Sequence, residues 1–220
     1  GARTMLFVGG PCTTGPGQVV GLPLEEPIRS HSDIEKETAA TKHIKKALKH
    51  YQAVAKRATA AGHVVDVFAC ALDQCGFAEM RSLVEKTGGY AVMCESFTVH
   101  MFRQSLATVF SRDPSGVSLR MAFGGSLEVL TSQDVKVCGA IGNCSSLAKK
   151  AANVGEAEIG IGGTNAWTLG GMDETTTVAL YFEVTSPPGG GGAAQQQGGG
   201  QRYVQMRTSY QHSSGQYRLR

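Results

Sequence analysis

The stretch His63–Met93, HVVDVFACALDQCGFAEMRSLVEKTGGYAVM, sets out a strand, a loop, a helix, a second loop and a second strand in about thirty residues. Val64 to Leu72 is almost continuously apolar around one acid, Asp66, the pattern of a strand covered by helices on both faces. Phe77, Met80, Leu83 and Val84 then recur at helical spacing, and Thr87-Gly88-Gly89 stops the helix before Tyr90–Met93 opens the next strand. Strands joined through a crossover helix lie parallel, so this half of the chain reads as α/β.

Upstream, Thr4–Val8 is a short apolar run ending in Gly9-Gly10-Pro11 and reads as a further buried strand. A long helix follows, with a start expected at Ser32-Asp33-Ile34-Glu35, where Ser and Glu three residues apart satisfy each other's backbone donors. Ile44, Ala47, Leu48, Tyr51, Val54, Ala55 and Ala58 form its apolar stripe, and Gly62 ends it. A third helix is expected after Ser96, with Phe97, Met101, Phe102, Leu106, Val109 and Phe110 on one face, before Asp113-Pro114-Ser115-Gly116 breaks it.

Past Gly116 the pattern changes. Val117–Phe123, Leu127–Thr131, Val135–Ile141, Thr175–Val184, Tyr203–Tyr210 and Gln216–Leu219 are short β-prone runs separated by turn residues, with Gly124-Gly125 expected to close a tight hairpin. The fold class is therefore α/β followed by all-β, an antiparallel sandwich or barrel, with domains over 1–115 and 116–220. The run Pro187–Gly200, PPGGGGAAQQQGGG, is expected to be a disordered loop.

Hydrophobic residues make up 41% of the 220 and charged residues 18%, which suits a packed core and excludes general disorder. The net charge of +3 is slight, so an anionic partner must be met by a local patch. Six cysteines, at 12, 70, 75, 94, 138 and 144, contain no CxxC and read as reduced, core-filling residues of a cytosolic protein. No apolar run approaches the roughly 18 residues of a membrane span, so membrane contact is expected to be peripheral.

Candidate chemistry is thin. Gly9–Gly17 follows a strand, but two prolines, no Gly-Lys-Ser/Thr and the distance to the next helix argue for a structural loop over a phosphate cradle. Asp73 and Cys75 lie past the carboxyl end of the central strand, where ligands bind in open α/β sheets; Asp73 is expected to cap the next helix and Cys75 to pack. No spacing forms a metal site, a triad or a carboxylate pair, so no catalytic residue is assigned and the chain is not expected to be an enzyme. Lys42, Lys45, Lys46, Lys49, Lys56 and Arg57 crowd the long helix and are the candidate contact for an anionic lipid or acidic protein surface, against the plainer reading of a solvated face. Nucleic acid is disfavoured because no aromatics interleave with them. Trp167, the single tryptophan, is expected to anchor the β half.

The segments GGPCTTGPGQVVG (Gly9–Gly21), HVVDVFACALDQCGFAEM (His63–Met80), TGGYAVM (Thr87–Met93), FGGSLEV (Phe123–Val129), GAIGNC (Gly139–Cys144), TTTVALYFEV (Thr175–Val184) and SYQHSSGQYRLR (Ser209–Arg220) together resemble the GTPase-activating inner subunit of the COPII vesicle coat. The resemblance implies the latter part of a trunk domain similar to the von Willebrand A fold, a partial doubly wound sheet, joined to much of a β-sandwich. It implies as partners the cargo-binding coat subunit, through a trunk-to-trunk heterodimer, a Sar-type small GTPase, the outer-coat subunits and the anionic endoplasmic reticulum membrane. The expected location is cytoplasmic, peripheral on endoplasmic reticulum exit sites and on vesicles. The family's zinc ribbon and the domain carrying its arginine finger have no counterpart here, so the chain is expected to be a fragment without a cofactor, and no Cys or Arg inherits those roles. The alternative is a metal-dependent adhesion or ligand-binding module of the A-domain type, which requires an Asp-x-Ser-x-Ser strand upstream.

Overall fold

Strand β2 (His63–Cys70) lies between β1 (Ala2–Val8) and β3 (Ala91–Cys94) in a three-stranded parallel sheet, in register Ala2 to His63 and Val67 to Ala91. The computed structural model describes residues 1–22, 28–185 and 201–220, so the loop expected at 187–200 lies outside the described residues. Alternation along β2 sends side chains to two covered faces. Val65, Val67 and Ala69 pack beneath α2 (Ile44–Ala60) and α3 (Phe77–Thr87), with Val54, Ala55, Met80, Leu83 and Val84 completing that layer. Phe68 points the other way, against Phe102, Leu106 and Val109 of α4 (His100–Val109). Phe7 stacks on Phe68 at 5.2 Å between centroids, and Phe102 meets Phe68 edge-on at 5.9 Å. Burying side chains of this size contributes about 1.5–3 kcal/mol each, which is why the doubly covered strand reads as an apolar run.

The helix ends follow local chemistry, not always where sequence spacing put it. Gly62 at φ +65 and Gly88 at φ +68 close α2 and α3, a conformation that costs glycine nothing. The capping box belongs to Ser30 and Asp33, two residues earlier than expected: the Asp33 amide donates to Ser30 Oγ at 3.1 Å, and the Ser30 amide donates to Asp33 Oδ2 at 2.8 Å. It starts only a single-turn helix, α1 (His31–Glu35). Thr38 donates to Asp33 Oδ1, the chain reverses at Glu37 (φ +49), and α2 begins afresh at Ile44. Likewise α4 starts at His100, leaving Phe97 and Phe110 outside it.

The antiparallel half is a sandwich. A five-stranded sheet has the order β10 (Tyr217–Leu219), β9 (Val204–His212), β4 (Ala122–Thr131), β7 (Ala166–Met172) and β6 (Ser145–Ser146). It covers the pair β5 (Val135–Gly142) and β8 (Val178–Val184), and Leu127, Val129, Val137, Ala140, Trp167 and Leu169 fill the space between. The hairpin expected at Gly124-Gly125 is instead a bulge inside one continuous strand. Ala122 pairs with both Met172 and His212, and the register slips on both sides before Ser126. Gly124 takes φ +58 there, and Met172 occupies the space a side chain at Gly125 would need. β7 carries Trp167 and was not foreseen as a strand.

Trp167 is fully buried, and its indole N–H donates to the Ile161 carbonyl at 2.9 Å. Trp167→Ala removes the largest side chain of the sandwich core and one of the two hydrogen bonds to that carbonyl, which also accepts from the Ala140 amide at 3.2 Å. Urea unfolding followed by far-UV circular dichroism is expected to show a loss of about 3–5 kcal/mol.

Candidate functional site

Residue spacing decides which cations of α2 can act together. Lys45, Lys46, Lys49, Lys56 and Arg57 are all exposed on this 17-residue helix, which spans about 25 Å. Lys42 precedes it, closing the short turn Ala39–Thr41. Lys45 donates to Glu37 at 2.7 Å, so part of its charge is already answered locally. Lys49, Gln52, Ala53, Lys56, Thr59 and Ala60 recur at three- and four-residue steps and form one stripe. Lys46 and Arg57 lie on the neighbouring stripe. The six expected cations therefore do not converge on one point.

The Lys49–Lys56 stripe lines a groove of 660 Å³, whose other wall is Lys86 at the end of α3 and Ser145, Ser146, Leu147 and Thr168 of the sandwich. Thr59 Oγ1 donates to the Lys86 carbonyl at 3.0 Å and pins α2 to α3 at its rim. Lys86, Ser145 and Gln52 were missed by sequence reading, because nothing in their local pattern links three distant segments.

The carboxyl edge of the parallel sheet holds a wider cleft of 1030 Å³, lined by Leu72, Cys75, Phe77, Arg81 and Met93 among others. Asp73 does not cap α3. Its Oδ1 accepts from the Gln74 amide at 2.8 Å, and the helix starts after Gly76, which takes φ +83 with no side-chain cap. The left-handed turn at Gly76 separates Asp73 from the first-turn amides, and Val19 packs where a Cβ there would sit. Cys75 is buried in the core as expected, and burial pushes its thiol up. In the loop Gly9–Gly17, Gly17 lies against the Tyr51 ring and the Cys12 carbonyl accepts from the Val19 amide at 2.7 Å.

Two carboxylates are buried with arginines. Glu79 accepts from Arg29, both side chains being nearly inaccessible, and burial raises the Glu79 carboxyl against the pull of Arg29. Asp66, wholly buried, receives Arg3 Nε at 2.5 Å, Arg3 Nη2 at 2.9 Å and the Tyr90 amide at 2.7 Å. Arg3 also stands 4.8 Å over the Tyr90 ring. Both pairs join packed elements. Cys70 and Cys94, partners across β2 and β3, have sulfurs 3.2 Å apart; burial, then the Cys94 neighbour, pushes the Cys70 thiol up to about 12. Among the described residues no group of His, Cys, Asp or Glu is arranged to hold a metal ion, and no helix is long and apolar enough to cross a membrane.

Residues 1–110 match the family model described as Sec23/Sec24 trunk domain, and residues 122–220 match that of the Sec23/Sec24 beta-sandwich domain. The crystal structure of the human COPII-coat protein Sec24c is similar over 99% of this chain, with a TM-score of 0.60 and 19% identity. The chain covers 25% of that protein's length, so the likeness speaks to the fold.

The Asp66 network makes a pH-dependent prediction. Burial is the largest influence on Asp66 and raises its carboxyl above the usual range, with Arg3 pulling the other way. A raised acid holds its proton longer folded than unfolded, so its contribution is full at low pH and falls as pH rises through the raised value. Arg3→Met removes the compensating charge. It is expected to cost about 3–5 kcal/mol at neutral pH, and the deficit relative to wild type to shrink toward pH 4, where a protonated Asp66 needs no cation. Chemical denaturation at several pH values measures both.

Proposed function

Because this chain belongs to the Sec23/Sec24 family, we propose that it forms part of an inner subunit of the COPII vesicle coat, of the kind that activates a Sar-type GTPase. What carries the reading is the succession of two family domains, trunk then β-sandwich, over nearly the whole chain. The seven sequence segments quoted above point to the GTPase-activating subunit over its cargo-binding relative. The role is one of presenting surfaces. The trunk offers a face to the cargo-binding subunit, the assembled coat meets the outer-coat subunits, and the protein acts on the cytoplasmic side of endoplasmic reticulum exit sites and vesicles. In this reading the residue that accelerates GTP hydrolysis lies on a part of the parent protein other than residues 1–220.

A turnover assay with the Sar-type GTPase separates the parts of this proposal. The full-length parent protein is expected to raise GTP hydrolysis, and residues 1–220 alone to leave it at its basal rate. Full activation by the 220 residues would place the accelerating group inside them.

Lys42, Lys45, Lys46, Lys49, Lys56 and Arg57 supply the contact with the anionic membrane. Each cation near a charged bilayer contributes about 1 kcal/mol at modest salt, so several acting together suffice for peripheral attachment. Lys42, Lys45, Lys46 and Lys49 changed together to Glu are expected to abolish cosedimentation with phosphatidylserine liposomes at low salt. Undiminished binding returns those residues to a solvated role.

A further inference from the structure

We propose that the groove between α2, the end of α3 and strands β6 and β7 is a binding site for a phosphate monoester carried on a small polyol, such as a phosphorylated inositol. The proposal rests on the anionic-surface reading of α2 and narrows it, because it separates one pocket from the rest of the basic helix.

Among the described residues the lining carries three positive charges and no negative one. Lys49 and Lys56 stand two helical turns apart on one stripe of α2, Lys86 faces them from the last turn of α3, and among the described residues no Asp or Glu lines the groove. Three ammonium groups gathered with no carboxylate among them repel one another, and a multiply charged anion relieves that repulsion. The cations are all lysine. Arginine would clamp a phosphate or a carboxylate through a rigid fork, whereas lysine meets a phosphate as a point charge from several directions.

Neutral donors complete the site. Ser145 has a hydroxyl that is shielded from solvent and has no hydrogen-bond partner, and Gln52 adds an amide to the same wall. Ala53, Ala60 and Leu147 provide an apolar surface for the carbon ring that bears the phosphate. The hydrogen bond from Thr59 to the Lys86 carbonyl holds the two helices, so the walls are set before a ligand arrives. The volume of 660 Å³ falls within the range of about 300–1,000 Å³ common to small-molecule sites.

Calorimetric titration of residues 1–220 with soluble inositol 1,4,5-trisphosphate tests the pocket. Wild type is expected to bind it saturably. Lys86→Gln is expected to weaken that binding about tenfold. The pair Lys46→Gln and Arg57→Gln, outside the groove, should change it less than twofold while weakening attachment to phosphatidylserine liposomes. Equal losses from both sets, or no saturable binding by wild type, overturn the pocket; phosphatidylserine attachment that persists in the latter case leaves the wider surface reading standing. Headgroup binding without attachment to phosphatidylserine liposomes supports the pocket and sinks the surface reading instead. Tighter attachment to liposomes carrying phosphatidylinositol 4-phosphate than to charge-matched phosphatidylserine assigns the phosphate to a lipid, and competition by the soluble compound without that preference assigns it to a free metabolite.

Discussion

A single buried carboxylate ties the parallel sheet together. Asp66 on β2 receives two hydrogen bonds from Arg3 on β1 and one from the Tyr90 amide at the entrance to β3, so all three strands meet at one side chain. A charge in that position is costly unless it is fully hydrogen-bonded and paired, and the register that sets Met5 opposite Asp66 places Arg3 on the same face of β1 to supply that pairing. The same loop carries Gly88 and Gly89. Gly88 lies against the backbone of Leu169 and Gly171, Gly89 against that of Val65, and Gly170 opposite comes as close to Thr87, so a Cβ at any of these three positions would overlap main-chain atoms. The loop that completes the parallel sheet is therefore also where the sandwich is docked.

That docking creates the basic groove. α2 alone would present its lysines to solvent as a diffuse stripe, but the close approach of β7 to the end of α3 sets Ser145 and Thr168 opposite Lys49 and Lys56. A surface that works by contact and not by covalent chemistry needs such rigid placement, because its energy comes from many weak charge interactions that act together only if held in place.

Much of the fold was legible in the chain because period and punctuation agreed. The apolar run broken only by Asp66, the helical recurrence of Phe77, Met80, Leu83 and Val84, and the glycines at 62 and 88 each stated one thing, and the domain-family matches and the three-dimensional structure agree on the α/β-then-β order. The failures share a cause. Ser32 looked like a cap because its spacing was right, yet Ser30 is two residues earlier and has Asp33 within reach. Gly124-Gly125 looked like a hairpin because two glycines between β-prone runs form either a turn or a bulge, and only the neighbouring strands decide which. β7 was invisible because Trp-Thr-Leu-Gly-Gly is poor in β-branched residues and its glycines serve a close approach instead of a turn. The basic helix was legible; its gathering with Lys86 and Ser145 was not, since that depends on tertiary contact among segments far apart in sequence.

The strand pairings also dictate an order of assembly. β2, α3 and β3 are close in sequence and can close on one another at small entropic cost, whereas β1 must find β2 across the long segment that contains α2. The sandwich is more delayed still, because β4 pairs along nearly its whole length with β9, Ala122 opposite His212, and everything between them must first be accommodated. During synthesis the parallel unit can therefore be in place while β4 still has an unpaired edge. For that interval the nascent chain exposes the kind of strand that other chains can capture, so it is before β9 emerges, and not in the finished molecule, that it most needs protection from its neighbours.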